Sequence, residues 1–257
     1  MKQREVTLRC DACGKKFNAN KMPDGGWRTI FPRQPPSSTC RSHRHSPLCR
    51  WEVHKARLKL WRQVAVFVEG RPVTFVTLVP PHRTVAFDQV AEVSVANELR
   101  AVTRPLAARI PPNVIVIGYF DISLRDDQSG DERERFWVPH FHLLVIGLSP
   151  GDTRHILSDV YQGNEAVLRP IRVQKAPSPR AALSYSIKHV NDIDAGVLLP
   201  RQPGCGLRGP IRRGLKADEK AAITRFALSR KLGDMLLLMG VRRFGQKLRR
   251  VQVVPLR

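Results

Sequence analysis

The stretch Trp137-Val138-Pro139-His140-Phe141-His142-Leu143-Leu144-Val145 limits the fold more than any other part of the chain. It is an apolar run interrupted by two histidines, and it reads as a β-strand. Strand side chains alternate between faces, so His140 and His142 share one face while Phe141 points into the core. Two strand rises put the imidazoles about 7 Å apart, near enough to close on a single metal ion. Two plain surface histidines give the same triplet, so its meaning depends on what surrounds it.

The chain has 257 residues, enough for one or two domains with a sizeable core. Its 44 Lys and Arg against 22 Asp and Glu leave a formal charge of +22. Such an excess repels itself unless a polyanion is present, and nucleic acid is the expected partner. A basic protein that simply stays soluble, or that binds an acidic protein, is the alternative. The opening Met1-Lys2-Gln3-Arg4-Glu5 has no apolar core, so no secretory signal is expected. The longest oily run, Met235 to Val241, is too short to span a bilayer. A cytoplasmic protein without a membrane partner follows. There thiols stay reduced, and clustered cysteines suggest metal rather than disulfides.

Residues 1–68 read as a zinc-binding module followed by a basic helix. Cys10-Asp11-Ala12-Cys13-Gly14 is a knuckle, and Cys40 and Cys49 follow with His43 and His45 between them. Thiolate pairs of this kind hold tetrahedral zinc, with a histidine able to replace either member of the second pair. Cys205 stands alone in a glycine-rich stretch and reads as a bystander. In the helix over 50–68, Trp51, Leu58 and Trp61 suit a buried stripe and Lys55, Arg57, Lys59 and Arg62 stay wet. That basic face suits phosphates or plain solvent equally.

A second unit spans 69–200. Strands are expected at Val73–Val79, Val114–Ser123, Phe136–Leu148 and Val167–Lys175, the last an edge because of its proline. Helices are expected at 86–108, Thr153–Tyr161 and Pro179–Val190. The order β-α-β-β-α-β-α implies an α+β fold, an antiparallel sheet with helices on one face. Residues 201–257 read as a basic, partly helical segment, with a helix over Ala217–Met239 and a tail running from Arg242 to Arg250.

Tyr185 and Lys188 lie three apart in the helix near residue 185 and so share a face. Ionising a tyrosine at neutral pH costs about 4 kcal/mol, and a neighbouring cation eases that cost. Lysine can also neutralise charge developing on a phosphate. An amphipathic helix with a buried ring explains the same pair more plainly. Asp121 precedes the histidines by one strand. If the two strands pair as a hairpin, its carboxylate completes a His-His-carboxylate set for Mg²⁺ or Mn²⁺. Otherwise it is a strand-end charge. Together these groups suit attack of a phenolate on a metal-polarised phosphodiester.

In these blocks the chain resembles the HUH endonuclease superfamily, and within it plasmid rolling-circle replication initiators. Cys40 to Trp51 is similar to the family's zinc block running into a basic helix. Phe75-Val76-Thr77-Leu78-Val79 resembles its first strand motif. Phe120-Asp121-Ile122-Ser123 and Pro139-His140-Phe141-His142-Leu143 resemble the acidic strand and the two-histidine motif. Tyr185-Ser186-Ile187-Lys188 resembles the nucleophile motif. The resemblance implies a ferredoxin-like HUH palm over 69–200 and a DNA endonuclease and strand transferase. Tyr185 would attack single-stranded origin DNA, leaving a 5′-phosphotyrosine and a 3′-OH that primes a host polymerase, with a host helicase as further partner. His140, His142 and Asp121 would hold the ion, and Lys188 would position the ion or the phosphate. Three residues depart from the pattern. Ser46 stands at a usual cysteine, Val138 at a frequent histidine, and Ala181 at a frequent acid that activates water at termination. A transposase or relaxase with the same chemistry, or a silent zinc-containing nucleic-acid-binding protein, are the competing readings.

Overall fold

A computed structural model describes residues 5–9, 16–21, 27–29, 45–81, 83–128, 134–163, 167, 169–198 and 211–251. In chain order, β1 (Glu5–Arg9), β2 (Lys16–Lys21) and β3 (Trp27–Thr29) form a small antiparallel sheet. Helix α1 (Arg50–Val68) leads to β4 (Val73–Leu78) and β5 (Val85–Ala86). Next come α2 (Val95–Ala107), β6 (Ile115–Asp127), β7 (Glu134–Ile146) and α3 (Pro150–Ser158). They are followed by β8 (Ile171–Lys175), α4 (Pro179–Ser186), β9 (Asp194–Leu198) and β10 (Ile211–Gly214). The chain continues through α5 (Ala217–Leu228) and β11 (Leu236–Met239) to β12 (Val241–Phe244) and β13 (Lys247–Arg250).

The main sheet grows from the β6–β7 hairpin, which pairs residue by residue from Ile115↔Ile146 to Asp127↔Glu134. Both strands are 13 residues long, and each outer edge is shared by two shorter partners. On β6, β11 takes residues 116–119 and β9 takes 124–127, so neither ladder covers 120–123. On β7, β5 takes 136–137 and β4 takes 141–146, leaving 138–140 outside both. Pro139 falls in that gap, where its missing N–H costs no ladder bond. Strand β8 pairs with β4 at the sheet edge, as its proline-flanked sequence suggests.

The α+β class stands, with two corrections. The sheet is mixed, because β9 runs parallel to β6. After α4 the chain returns to a stretch of the β6 edge that β11 does not cover, and it enters in the same direction. Helices also lie on both faces. On one face Phe226 of α5 packs on Phe120, which itself packs on Phe141. Leu106 of α2 and Ile156 and Leu157 of α3 meet Val116, Leu143 and Val145 there. The face bearing His140 and His142 is covered by α4, which in turn packs on α1.

Three helices are shorter than their sequence pattern. Of the helix expected over 86–108 only α2 is α-helical; Phe87–Glu92 forms a 3₁₀ turn, and the Ser94 side chain caps α2 by accepting from Asn97 N–H. Ser178 caps α4 and Pro179 opens it, as expected of a helix start. It ends at Ser186, not Val190, because its next donors are diverted. His189 N–H goes to Asp192 Oδ2 (3.3 Å), Val190 N–H to the Pro47 carbonyl (3.4 Å), and Arg57 takes the Ile187 carbonyl (2.7 Å). The helix expected over Ala217–Met239 stops at Leu228, since residues 236–239 supply the β6 edge with strand β11. Among the described residues no helix is long and apolar enough to cross a membrane.

Candidate metal centre

The register of the central hairpin builds the site. Asp121 sits directly opposite His140, and Tyr119 opposite His142, so all four side chains project from one face. Thr77 and Phe75 of β4 join them there, because Thr77 pairs with His142 and Phe75 with Leu144. Asp121, His140 and His142 are buried, and their ligand atoms lie within 4.8 Å of one another. Asp121 Oδ2 is 3.0 Å from His140 Nε2 and 3.2 Å from His142 Nε2. These three residues form a group that can hold a metal ion.

The outer nitrogens support that reading. His140 Nδ1 lies 3.2 Å from the Val138 carbonyl, which can only accept, so the proton belongs on Nδ1. Nε2 then faces a carboxylate oxygen, and a cation, either a second proton or a metal ion, bridges the two. His142 Nδ1 is 3.3 Å from Thr77 Oγ1. Metal-ligating histidines are held in this way, by a partner on the nitrogen away from the metal. The gap on the β6 edge also serves the site, because it leaves Ile122 N–H to donate to Asp121 Oδ1 (2.8 Å).

Burial alone would push the Asp121 carboxyl up. The charge and hydrogen bond of His140, the bond from His142 and the charge of Lys188 outweigh it and hold the group well below the usual carboxylate range. Burial lowers His142, with Asp121 offsetting only part, which favours the neutral ring that binds metal. Burial would also lower Lys188, but Asp121 outweighs it and the ammonium is held above its ordinary value.

Lys188 Nζ lies 2.6 Å from Asp121 Oδ2 and 5.0 Å from the centre of the Tyr185 ring. Tyr185 stands edge-on to His142, with ring centres 5.1 Å apart, and edge-on to Phe75 at 6.1 Å. It is 47% exposed, so the phenol lies at the rim of the buried set rather than inside it. The structure therefore brings Asp121, His140, His142, Tyr185 and Lys188 together. The shared helical face expected for Tyr185 and Lys188 is not the reason, since Lys188 lies beyond the end of α4. Arg57 on the Ile187 carbonyl, and Asp192 held by Arg50 at 3.2 Å, fasten the segment that carries the lysine.

Cys49 is buried at the start of α1 and takes no part in this cluster. Cys10, Cys13, Cys40, His43 and Cys205 lie outside the described residues. His45 is exposed, with φ +64°, and its backbone N–H donates to Glu52 Oε2 (3.0 Å). Ala181 lies on α4, one turn before Tyr185. Thr77, Phe75 and the Val138 carbonyl support the site, roles that the strand motif over 75–79 does not itself assign, while the charge of Arg212 on β10 opposes that of Lys188. No family model, curated protein or solved structure matches this chain.

Proposed function

We propose that the chain is a metal-dependent tyrosine DNA endonuclease and strand transferase of the HUH kind. In this reading it nicks and rejoins single-stranded origin DNA and so starts rolling-circle plasmid replication. The observation that carries the reading is an exposed phenol at the rim of a buried Asp-His-His set, with one lysine reaching both.

Asp121, His140 and His142 would hold Mg²⁺ or Mn²⁺, which when bound polarises the scissile phosphodiester. Tyr185 Oη forms a bond to phosphorus as the bond to the 3′ oxygen breaks. The phenolic proton is lost to solvent at the exposed rim, and the departing 3′ oxygen gains one. One phosphodiester replaces another, so no energy source is consumed and the reverse step rejoins strands. Lys188, beside the ring at 5.0 Å, would neutralise charge developing on the phosphate. The charge of +22 supplies the attraction to DNA. For Cys10, Cys13, Cys40 and Cys49, with His43 or His45 as substitutes, we propose structural Zn²⁺.

The test is a denaturing gel after incubation of the full chain with labelled origin-like single strands and Mn²⁺. A covalent protein–DNA band is expected from the parent and none from Tyr185→Phe. A band that survives the substitution, or no band with any strand, overturns the reading.

A further inference from the structure

β12 and β13 form a two-stranded ribbon separate from the main sheet. Val241 pairs with Arg250, Arg242 with Arg249, Arg243 with Leu248 and Phe244 with Lys247. Opposed residues share a face, so the ribbon is two-sided. Val241 and Leu248 are buried on one side. Arg242, Arg249, Lys247 and Phe244 are exposed on the other. Residues 241–251 hold five cations and no acid. Arg242 directly opposite Arg249 is an unfavourable like-charge pair. Arg249 instead lies over the Phe244 ring at 5.6 Å.

The ribbon is firmly held. Its turn residue Gln246 accepts from Lys59 through its side chain and from Gln63 through its carbonyl. Arg250 donates to the Asn113 carbonyl (2.9 Å), and Val251 N–H to the Gly240 carbonyl (3.1 Å). At Gly240 φ is +72° and a Cβ would collide with the Val114 carbonyl, so only glycine fits where the ribbon leaves β11.

We propose that this ribbon docks in a groove of duplex DNA, holding the paired part of the substrate while its unpaired strand runs to Tyr185. The second half of that statement rests on the function proposed above. Charge selects a polyanion, and shape selects the duplex, because the major groove admits a two-stranded β-ribbon. Proteins that grip single strands offer several stacking rings, and this face offers one, flanked by guanidinium groups. Exposed Lys59 and Arg62 of α1 extend the basic surface beside it. The same helix sets the spacing to the chemistry. Arg57 binds the Ile187 carbonyl beside the site and Gln63 binds the ribbon turn, about 9 Å further along the helix axis.

The test compares the full chain with the exposed-face variant Arg242→Ala, Lys247→Ala, Arg249→Ala, and with Arg242→Gln alone in case the triple variant misfolds. Binding to a labelled mixed-sequence duplex of about 30 base pairs is measured against salt. The slope is expected to fall by about three units in the triple variant and about one in the single. Adduct formation on a short unpaired strand should be unchanged, and duplex RNA, with its deep narrow groove, should compete poorly. An unchanged duplex slope overturns the proposal. So does an equal loss on the single strand, equal competition by RNA, or a loss confined to phosphatidylserine vesicles. If neither protein forms an adduct while the duplex slopes still differ, the nuclease reading fails and the ribbon stands as a duplex-binding surface.

Discussion

Thr77 has no chemistry of its own, yet it braces one ring of the candidate metal centre. Its hydroxyl lies 3.3 Å from His142 Nδ1, and the ring is otherwise steadied by stacking on Phe75 at 5.7 Å. Stacking limits the tilt of an imidazole but not which edge faces the carboxylate. Thr77→Val keeps the shape and removes the hydrogen bond. We expect it to weaken Mn²⁺ binding about 10- to 100-fold in titration calorimetry, the usual loss when such a support is removed. Equal affinity in the two proteins would show that stacking alone orients the ring. The residue also shows what a single sequence can reveal. His140 and His142 share a face by strand alternation, which is local and readable. Asp121 needs only the assumption that neighbouring strands pair. Thr77 belongs to the strand motif over 75–79, but it meets His142 across 65 positions, through a register that depends on the whole sheet, so the motif does not announce this contact.

The elements were legible where local pattern and tertiary demand agree. β6 and β7 are long apolar runs, and they form close to where alternation puts them. In α1 the pattern misleads at its centre. Leu58 and Trp61 are only partly buried, while Val53, Leu60 and Val64 are buried and Arg57 turns inward to the Ile187 carbonyl. Periodicity finds a helix but not which face its partners will cover. His54 of α1 records this packing. It is 3% exposed and stacks on Trp51, and burial, then the charges of Arg57 and Arg180, lower its pKa to about 4. Because the folded value is below the unfolded one, acid favours the unfolded chain. Stability is full above about pH 6.5 and falls as the pH drops toward 4, by about 3 kcal/mol from this residue. His54→Gln has no such term. The stability gap between parent and variant, from urea melts, should therefore shift by about that amount between pH 7 and 4. A gap that stays constant with pH would exclude His54 as its source.

At the scale of the whole molecule, the proposed function assigns holding DNA and cutting it to different groups. The charge of +22 is spread over surface arginines and lysines, whereas the metal set is buried on one face of the central hairpin. Retention should therefore fall with salt, by roughly 10³- to 10⁵-fold between 50 and 200 mM if six to ten phosphates are contacted. It should not depend on the histidines. His140→Ala removes one ligand from the set and no surface charge, since the residue is 6% exposed. Loss of metal-polarised chemistry is worth several kcal/mol, so adduct formation should drop about 10³-fold or more while retention on single strands stays within about twofold. A buried substitution can also loosen the fold, and the parent protein supplies the control. Stripping it with a chelator should abolish the adduct, leave retention intact, and be reversed by adding Mn²⁺. If His140→Ala instead lowers retention and adduct together while the stripped parent loses neither, the two rings serve the sheet and not a metal.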